Sequence, residues 1–162
     1  MKCLDKKGNN FTCKSKGFTL VEIMIVVVIV GLLATMAIPA LQRVRLSSQN
    51  ARFANDLRVF RAAVNHYILE TGVYPVDSHT GLLDASMEGY IQRAQFEPAS
   101  SIGGRWDIEF NDSGVMSAVG VHQPTATTEQ LTQIDEMIDD GDIADGRLRF
   151  ITGDRFYWVL ID

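Results

Sequence analysis

From Phe18 to Leu41 the chain reads FTLVEIMIVVVIVGLLATMAIPAL, 24 residues in which Glu22 is the one charge. At about 1.5 Å per helical residue the run reaches about 36 Å, more than the roughly 30 Å hydrocarbon core of a bilayer, and it predicts a membrane-spanning helix. A carboxylate inside such a span costs about 2.5–3.5 kcal/mol at its centre and less near its ends. Glu22 is therefore a candidate functional group. After Leu41 the pattern changes without a break. Gln42 to Glu70 contains neither proline nor glycine, and Phe53, Leu57, Phe60, Val64 and Tyr67 recur at steps of four and three, on one helical face able to cover a sheet. Arg43, Arg45, Arg52, Asp56, Arg58, Arg61 and Glu70 lie largely off that face, either solvated or set against acidic surfaces of neighbouring molecules. Thr71-Gly72 is predicted to end the helix, and Tyr74-Pro75 to prevent its resumption.

A loop-rich connector of about thirty residues follows, with short helical stretches around Leu82 to Met87 and Tyr90 to Phe96 and punctuation at Glu97-Pro98 and Ser100 to Gly104. Trp106 to Phe110 then alternates apolar and polar, Asn111 to Gly114 reads as a turn, and Val115 to Val121 as the partner strand. Trp106, Ile108 and Phe110 are expected to face the core; a carbohydrate platform on Trp106 is the alternative. Glu129 to Asp140 is predicted helical, capped by Thr127 with Gln130 three residues on, with Leu131, Ile134 and Ile138 on one face and Gly141 closing it. A final hairpin runs from Arg147 to Ile151 and from Arg155 to Ile161. Its second strand is apolar on both faces, as Phe156, Trp158 and Leu160 alternate with Tyr157, Val159 and Ile161, and so is expected inside the sheet.

The words Gly17-Phe18-Thr19-Leu20-Val21-Glu22, with a lysine-rich leader before them and the apolar run behind, resemble the signature of type IV prepilins and type II secretion pseudopilins. The resemblance implies cleavage between Gly17 and Phe18 by a prepilin peptidase, N-methylation of Phe18 by a methyltransferase, and Glu22 as the carboxylate that docks one subunit on the next. The physics agrees with each role: Gly17 has no side chain to obstruct a protease, and Glu22 can neutralise the new α-amino group of a neighbour inside an apolar bundle. Gly31 and Pro39 extend the likeness, as points where the family's long helix is loosened or kinked. Glu70 to Pro75 resembles the segment that closes that helix in major pseudopilins.

Charge and cysteines sharpen this picture. A leader of residues 1–17 carries Lys2, Lys6, Lys7, Lys14 and Lys16 against Asp5, and its removal takes the net charge from −5 to −9. The lysines predict a cytoplasmic N-terminus and a periplasmic C-terminal domain, and the acidity argues against nucleic acid as a partner. Both cysteines, Cys3 and Cys13, fall in the leader, so the remainder forms no disulfide. Many pilins close a C-terminal loop with one, which favours the pseudopilin branch.

Candidate chemistry is sparse. Asp140, Asp142 and Asp145 lie in an acidic, glycine-rich stretch that could offer oxygens to calcium, although its spacing fails the helix-loop-helix calcium pattern. The resemblance adds that major pseudopilins often hold calcium in a C-terminal loop; an acidic turn without metal is the simpler reading. His66, His79 and His122 are too scattered for zinc and are read as solvent-exposed. No nucleophile or phosphate-binding motif is visible, so no catalytic residue is assigned and the chain is read as a substrate of enzymes. The expected fold is α+β and pilin-like, one long N-terminal helix whose first half is transmembrane and whose second half packs on a small antiparallel sheet. Its divisions are a cleaved leader at 1–17, a transmembrane and filament-core helix at 18–41, and a periplasmic globular domain at 42–162. The expected role is a filament subunit in the inner membrane, most closely a type II secretion pseudopilin. A type IV pilus subunit for adhesion, motility or DNA uptake is the alternative, as is a membrane-anchored binding module. Identical or related subunits and a secretion or pilus assembly machinery are the expected partners.

Overall fold

The computed structural model describes residues 2–4, 10–12, 17–77 and 80–162. Lys6, Lys7, Lys14, Lys16, Asp5, Cys13 and His79 lie outside them, and of Lys2 and Cys3 only the backbone is described. Two compact units divide between Gln42 and Arg43. In the first, β1 (Lys2–Leu4) pairs antiparallel with β2 (Asn10–Thr12). The unit also contains the start of α1 (Leu20–Thr71), whose apolar side chains from Leu20 to Leu41 are largely exposed. It is long and apolar enough to cross a membrane. Gly31 and Pro39 do not interrupt it. Pro39 has no N–H to donate to the Thr35 carbonyl one turn back, and the Thr35 hydroxyl donates to the Leu32 carbonyl at 2.7 Å.

In the second unit α1 continues to Thr71 and buries Phe53, Leu57, Phe60, Val64 and Tyr67, the face that the spacing predicts, together with Asn50. Gly72 follows with φ +73°, the left-handed geometry that glycine adopts without penalty. The sheet comprises β3 (Arg105–Asp112), β4 (Val115–His122), β5 (Leu148–Thr152) and β6 (Arg155–Ile161), in the antiparallel order β3-β4-β6-β5. β6 is interior, as its two apolar faces require. Its register aligns Trp106 with Val121 and Phe156, and Ile108 with Val119 and Trp158. That row meets α1: Trp106 stacks on Phe53 at 5.2 Å and meets Phe60 edge-on at 4.8 Å. Trp106 is 1% exposed, which rules out a carbohydrate platform on it.

Three features go beyond what the sequence pattern showed. The connector between α1 and β3 contributes to the core through Leu83, Met87, Ile91, Phe96 and Ile102, all buried. Within it are a 3-10 turn at Ala85–Met87 and the single-turn helix α2 (Arg93–Phe96). It also lines the start of the outer edge of β3, where the Gly81 N–H donates to the Trp106 carbonyl at 2.9 Å and Ala99 bridges to Arg105, which shields that end of the edge strand. Second, the face of β3 opposite Trp106 is also covered, with Asp107 and Glu109 buried, while Phe110 is half-buried and stacks on Tyr74 at 5.4 Å. Third, His122 is half-buried and pairs with Asp154 at 3.0 Å, whereas His66 is exposed and meets Tyr90 edge-on.

On the second sheet face Asp107, Gly120 and Tyr157 are in register across three strands. A Cβ at Gly120 would sit 2.4 Å from the Tyr157 Cα, so the glycine lets the Tyr157 ring cross the central strand. Its hydroxyl then donates to Asp107 Oδ2 at 3.0 Å, which also accepts from Thr80 at 3.2 Å. Burial raises the Asp107 carboxyl above its ordinary value, against the pull of these two hydroxyls, and it pushes the Tyr157 phenol up as well.

Candidate functional site

Two of the places singled out in the sequence can be built up from the described residues. The first is the start of α1. Thr19 precedes the helix and Glu22 stands three residues on, the spacing of a capping box. Glu22 Oε2 accepts from the Thr19 N–H and hydroxyl, each at 3.0 Å, while the Thr19 hydroxyl accepts from the Glu22 N–H at 3.2 Å. Glu22 therefore has a local partner, which the apolar pattern did not reveal although the Thr-x-x-Glu words were legible. Phe18 is 81% exposed. A Cβ at Gly17 or Gly31 would meet nothing within 4 Å, so neither glycine is demanded by packing inside this chain. The smallness of both is available to something that approaches from outside.

The second is the end of α3 (Thr128–Ile138) and the loop that leads to β5. Thr127 caps the helix as its spacing predicts, accepting from the Gln130 N–H at 3.3 Å. The Gln130 side chain donates to Asn50 at 2.9 Å, a buried bond that ties α3 to α1. Of the three predicted calcium residues, only Asp140 converges with others: Asp135, Asp139 and Asp140 bring carboxylate oxygens within 4.8 Å of one another. Asp142 Oδ1 instead accepts from the Ala144 N–H at 3.0 Å, and Asp145 Oδ1 from the Gly146 N–H at 2.8 Å, so both fold into the loop's own backbone. Asp139 Oδ2 receives the Arg147 N–H at 2.5 Å and the Leu148 N–H at 3.0 Å, which fastens the loop to β5. Gly146, with φ +76°, lies against both neighbours: a Cβ there would sit 2.6 Å from Asp139 Oδ2 and 2.9 Å from Asp140 Oδ2.

Asp135 is the residue that sequence reasoning missed. It is wholly buried, and neither carboxylate oxygen has a hydrogen bond of ordinary geometry. Burial raises it to about 6, with the charges of Asp140 and Asp139 adding and the Gly141 N–H opposing. Its signal was present. Leu131, Ile134, Asp135 and Ile138 occupy positions i, i+3, i+4 and i+7, so Asp135 is an acid inside the apolar stripe of α3. A carboxyl whose folded value lies above its ordinary 3.8 stabilises the fold fully below that value and loses the contribution as pH rises through about 6. In EDTA, Asp135→Asn is therefore expected to stabilise the protein by about 1–3 kcal/mol at pH 7.5 and by little near pH 4, as thermal unfolding at the two pH values would measure.

An oxygen cluster with an orphaned buried carboxylate fits a hard divalent cation, which takes oxygen ligands and would supply the charge that Asp135 lacks. Among the described residues no histidines converge.

Comparison with known proteins bears on the first of these places and on the chain as a whole. Residues 12–38 match the family described as the prokaryotic N-terminal methylation motif. The chain is similar to fimbrial protein EcpC of Eikenella corrodens, 33% identical over 104 residues that cover 64% of this chain and 68% of that protein. It is similar to type II secretion system core protein G of Escherichia coli (strain K12), 31% identical over 99 residues, 54% of this chain and 68% of that protein. Among solved structures, the major type IV pilin PilA1 from Clostridium difficile superposes with a TM-score of 0.53 at 19% identity, covering 74% of this chain and 98% of that one, a likeness of fold.

Proposed function

Since the chain belongs to the family of type IV pilins and type II secretion pseudopilins and is a pilin-like filament subunit, we propose that it serves as a pseudopilin of a type II secretion system. The observation that carries this choice is the α3–β5 loop. No residue after Cys13 is cysteine, so the C-terminal region has no disulfide to close it, and the acidic cluster around Asp135 stands in the corresponding part of the chain. Calcium, which the family resemblance implies for that loop, would be held by Asp135, Asp139 and Asp140, with Asp142 and Asp145 shaping the loop rather than binding. Similarity to a fimbrial protein over two thirds of that protein's length favours the second reading, a type IV pilus subunit.

In either reading a membrane peptidase cuts between Gly17 and Phe18, a methyltransferase modifies Phe18, and the subunit stays in the inner membrane through residues 18–41 with its C-terminal domain in the periplasm. Assembly moves the apolar helix from lipid into a bundle of like helices, keeping its surface from water in both states. The role is structural, with no catalytic step of its own. Intact mass with N-terminal fragmentation, on protein from its native membrane, should give a chain beginning at methylated Phe18. A chain beginning at Met1 in cells with active peptidase would overturn the filament role in favour of an anchored binding module. Deleting the gene should trap folded exoproteins in the periplasm and leave surface pili unchanged; loss of pili with secretion intact would assign the subunit to a pilus.

A further inference from the structure

We propose that Asp77, Glu109 and Asp112 form a divalent-cation site, separate from the α3–β5 loop, that pins the segment after α1 to the β3–β4 hairpin. The three carboxylates come from two distant parts of the chain: Asp77 from the connector, Glu109 from the body of β3 and Asp112 from its end. Each offers an oxygen within 4.8 Å of the others. That spacing is the one a shared ion permits, since two oxygens each about 2.4 Å from one calcium stand at most about 4.8 Å apart.

The independent observation is Glu109. It is 1% exposed, and its Oε2 is buried with no hydrogen-bond partner. Its other oxygen contacts Arg155, whose guanidinium also lies 3.6 Å from Asp112 Oδ2. Asp107, buried on the same face of β3, adds a fourth carboxylate. The guanidinium thus meets two of the three carboxylates, and the buried Glu109 Oε2 remains without a donor, which is costly unless a cation or water supplies what Arg155 does not. All the ligands are hard oxygens, and two of the three acids are exposed, leaving room for coordinating water. This suits calcium, with its six to eight flexible oxygen ligands, better than zinc, which favours nitrogen and sulfur. The consequence is mechanical. Asp77 lies six residues beyond Thr71, the last residue of α1, so an ion there cross-links the chain leaving the helix to the sheet on which the helix packs. The inference does not depend on the choice between pseudopilin and pilus, nor on calcium in the other loop.

The test is calcium binding to the full chain in detergent micelles, by titration calorimetry after EDTA treatment, with thermal unfolding in parallel. Asp77→Asn/Asp112→Asn changes exposed side chains, and its fold can be checked by circular dichroism. It is expected to weaken one class of binding by at least ~10-fold, the scale on which ligand charge tunes such sites, and to lose most of the calcium-dependent rise in melting temperature assigned to that class. Asp139→Asn/Asp140→Asn should leave that class intact. Glu109→Gln, which keeps the shape and removes the buried charge, should abolish it. Calcium binding and thermal shift unchanged in Asp77→Asn/Asp112→Asn, or no binding that survives Asp139→Asn/Asp140→Asn, would overturn the site and leave Arg155 as the counter-charge of Glu109.

Discussion

A chain carrying Glu22→Ala is expected to be cut after Gly17 and then to fail to enter filaments. Two roles compete for Glu22, and their magnitudes differ. As the third helical residue of a capping box it binds Thr19 through Oε2, worth about 1 kcal/mol at the end of a 52-residue helix. As the proposed counter-charge to a neighbour's Phe18 α-ammonium in an apolar bundle it would prevent an uncompensated buried charge, which costs about 3–5 kcal/mol when one partner is removed. The second role dominates, and it corresponds to a fall in subunit incorporation of at least about a hundredfold per contact, at tenfold per 1.4 kcal/mol. Glu22→Gln separates the two, because an amide oxygen can still accept from Thr19 while the charge is gone. The fraction of subunits recovered in sheared or cross-linked filaments should collapse for both variants, with processing to Phe18 retained. Wild-type incorporation of Glu22→Gln would leave Glu22 as a helix cap and remove the docking role.

Where periodicity was long and regular, the fold was legible. The buried face of α1 from Phe53 to Tyr67, the cap at Thr127 and the interior position of β6 all follow from spacing, because a 3.6 or 2.0 repeat maps directly onto a face. The connector was not legible in this way. Leu83, Met87, Ile91, Phe96 and Ile102 each reach the core from short turns rather than one continuous element, so no period joins them. The polar layer of β3 was hidden by the same alternation that identified the strand, since Asp107 and Glu109 look like a solvated face until a second cover is known. A hint lay in β6: a strand apolar on both faces implies that its neighbours are covered on both sides too. At the candidate sites, the residue types were readable and the convergence was not. Acids clustered in sequence, Asp142 and Asp145, turn to their own backbone, whereas Asp135 meets Asp139 because a turn of helix brings positions four apart together.

The other large effect is expected from Trp106→Ala. The indole is 1% exposed, stacked on Phe53 and edge-on to Phe60, and Phe60 in turn meets Phe96 of the connector at 5.3 Å. One side chain therefore joins β3, α1 and, through Phe60, the connector. Its removal leaves a cavity bounded by three elements that cannot all move inward, which places the cost at about 3–5 kcal/mol out of a typical 5–15. For a unit of this size that lowers the melting temperature by about 10–20 °C. Leu69→Ala, on the same helix but 84% exposed, should stay within about 0.5 kcal/mol of wild type. Near-ultraviolet circular dichroism of the full chain in detergent during heating would measure both, and similar melting temperatures for the two variants would contradict the packing of α1 on the sheet. The cleavage proposed after Gly17 lies in a part of the sequence that Trp106→Ala leaves unchanged. The Trp106 variant should thus be cut normally and then lost to periplasmic proteolysis, whereas Glu22→Ala should be cut and accumulate as a folded, unassembled subunit.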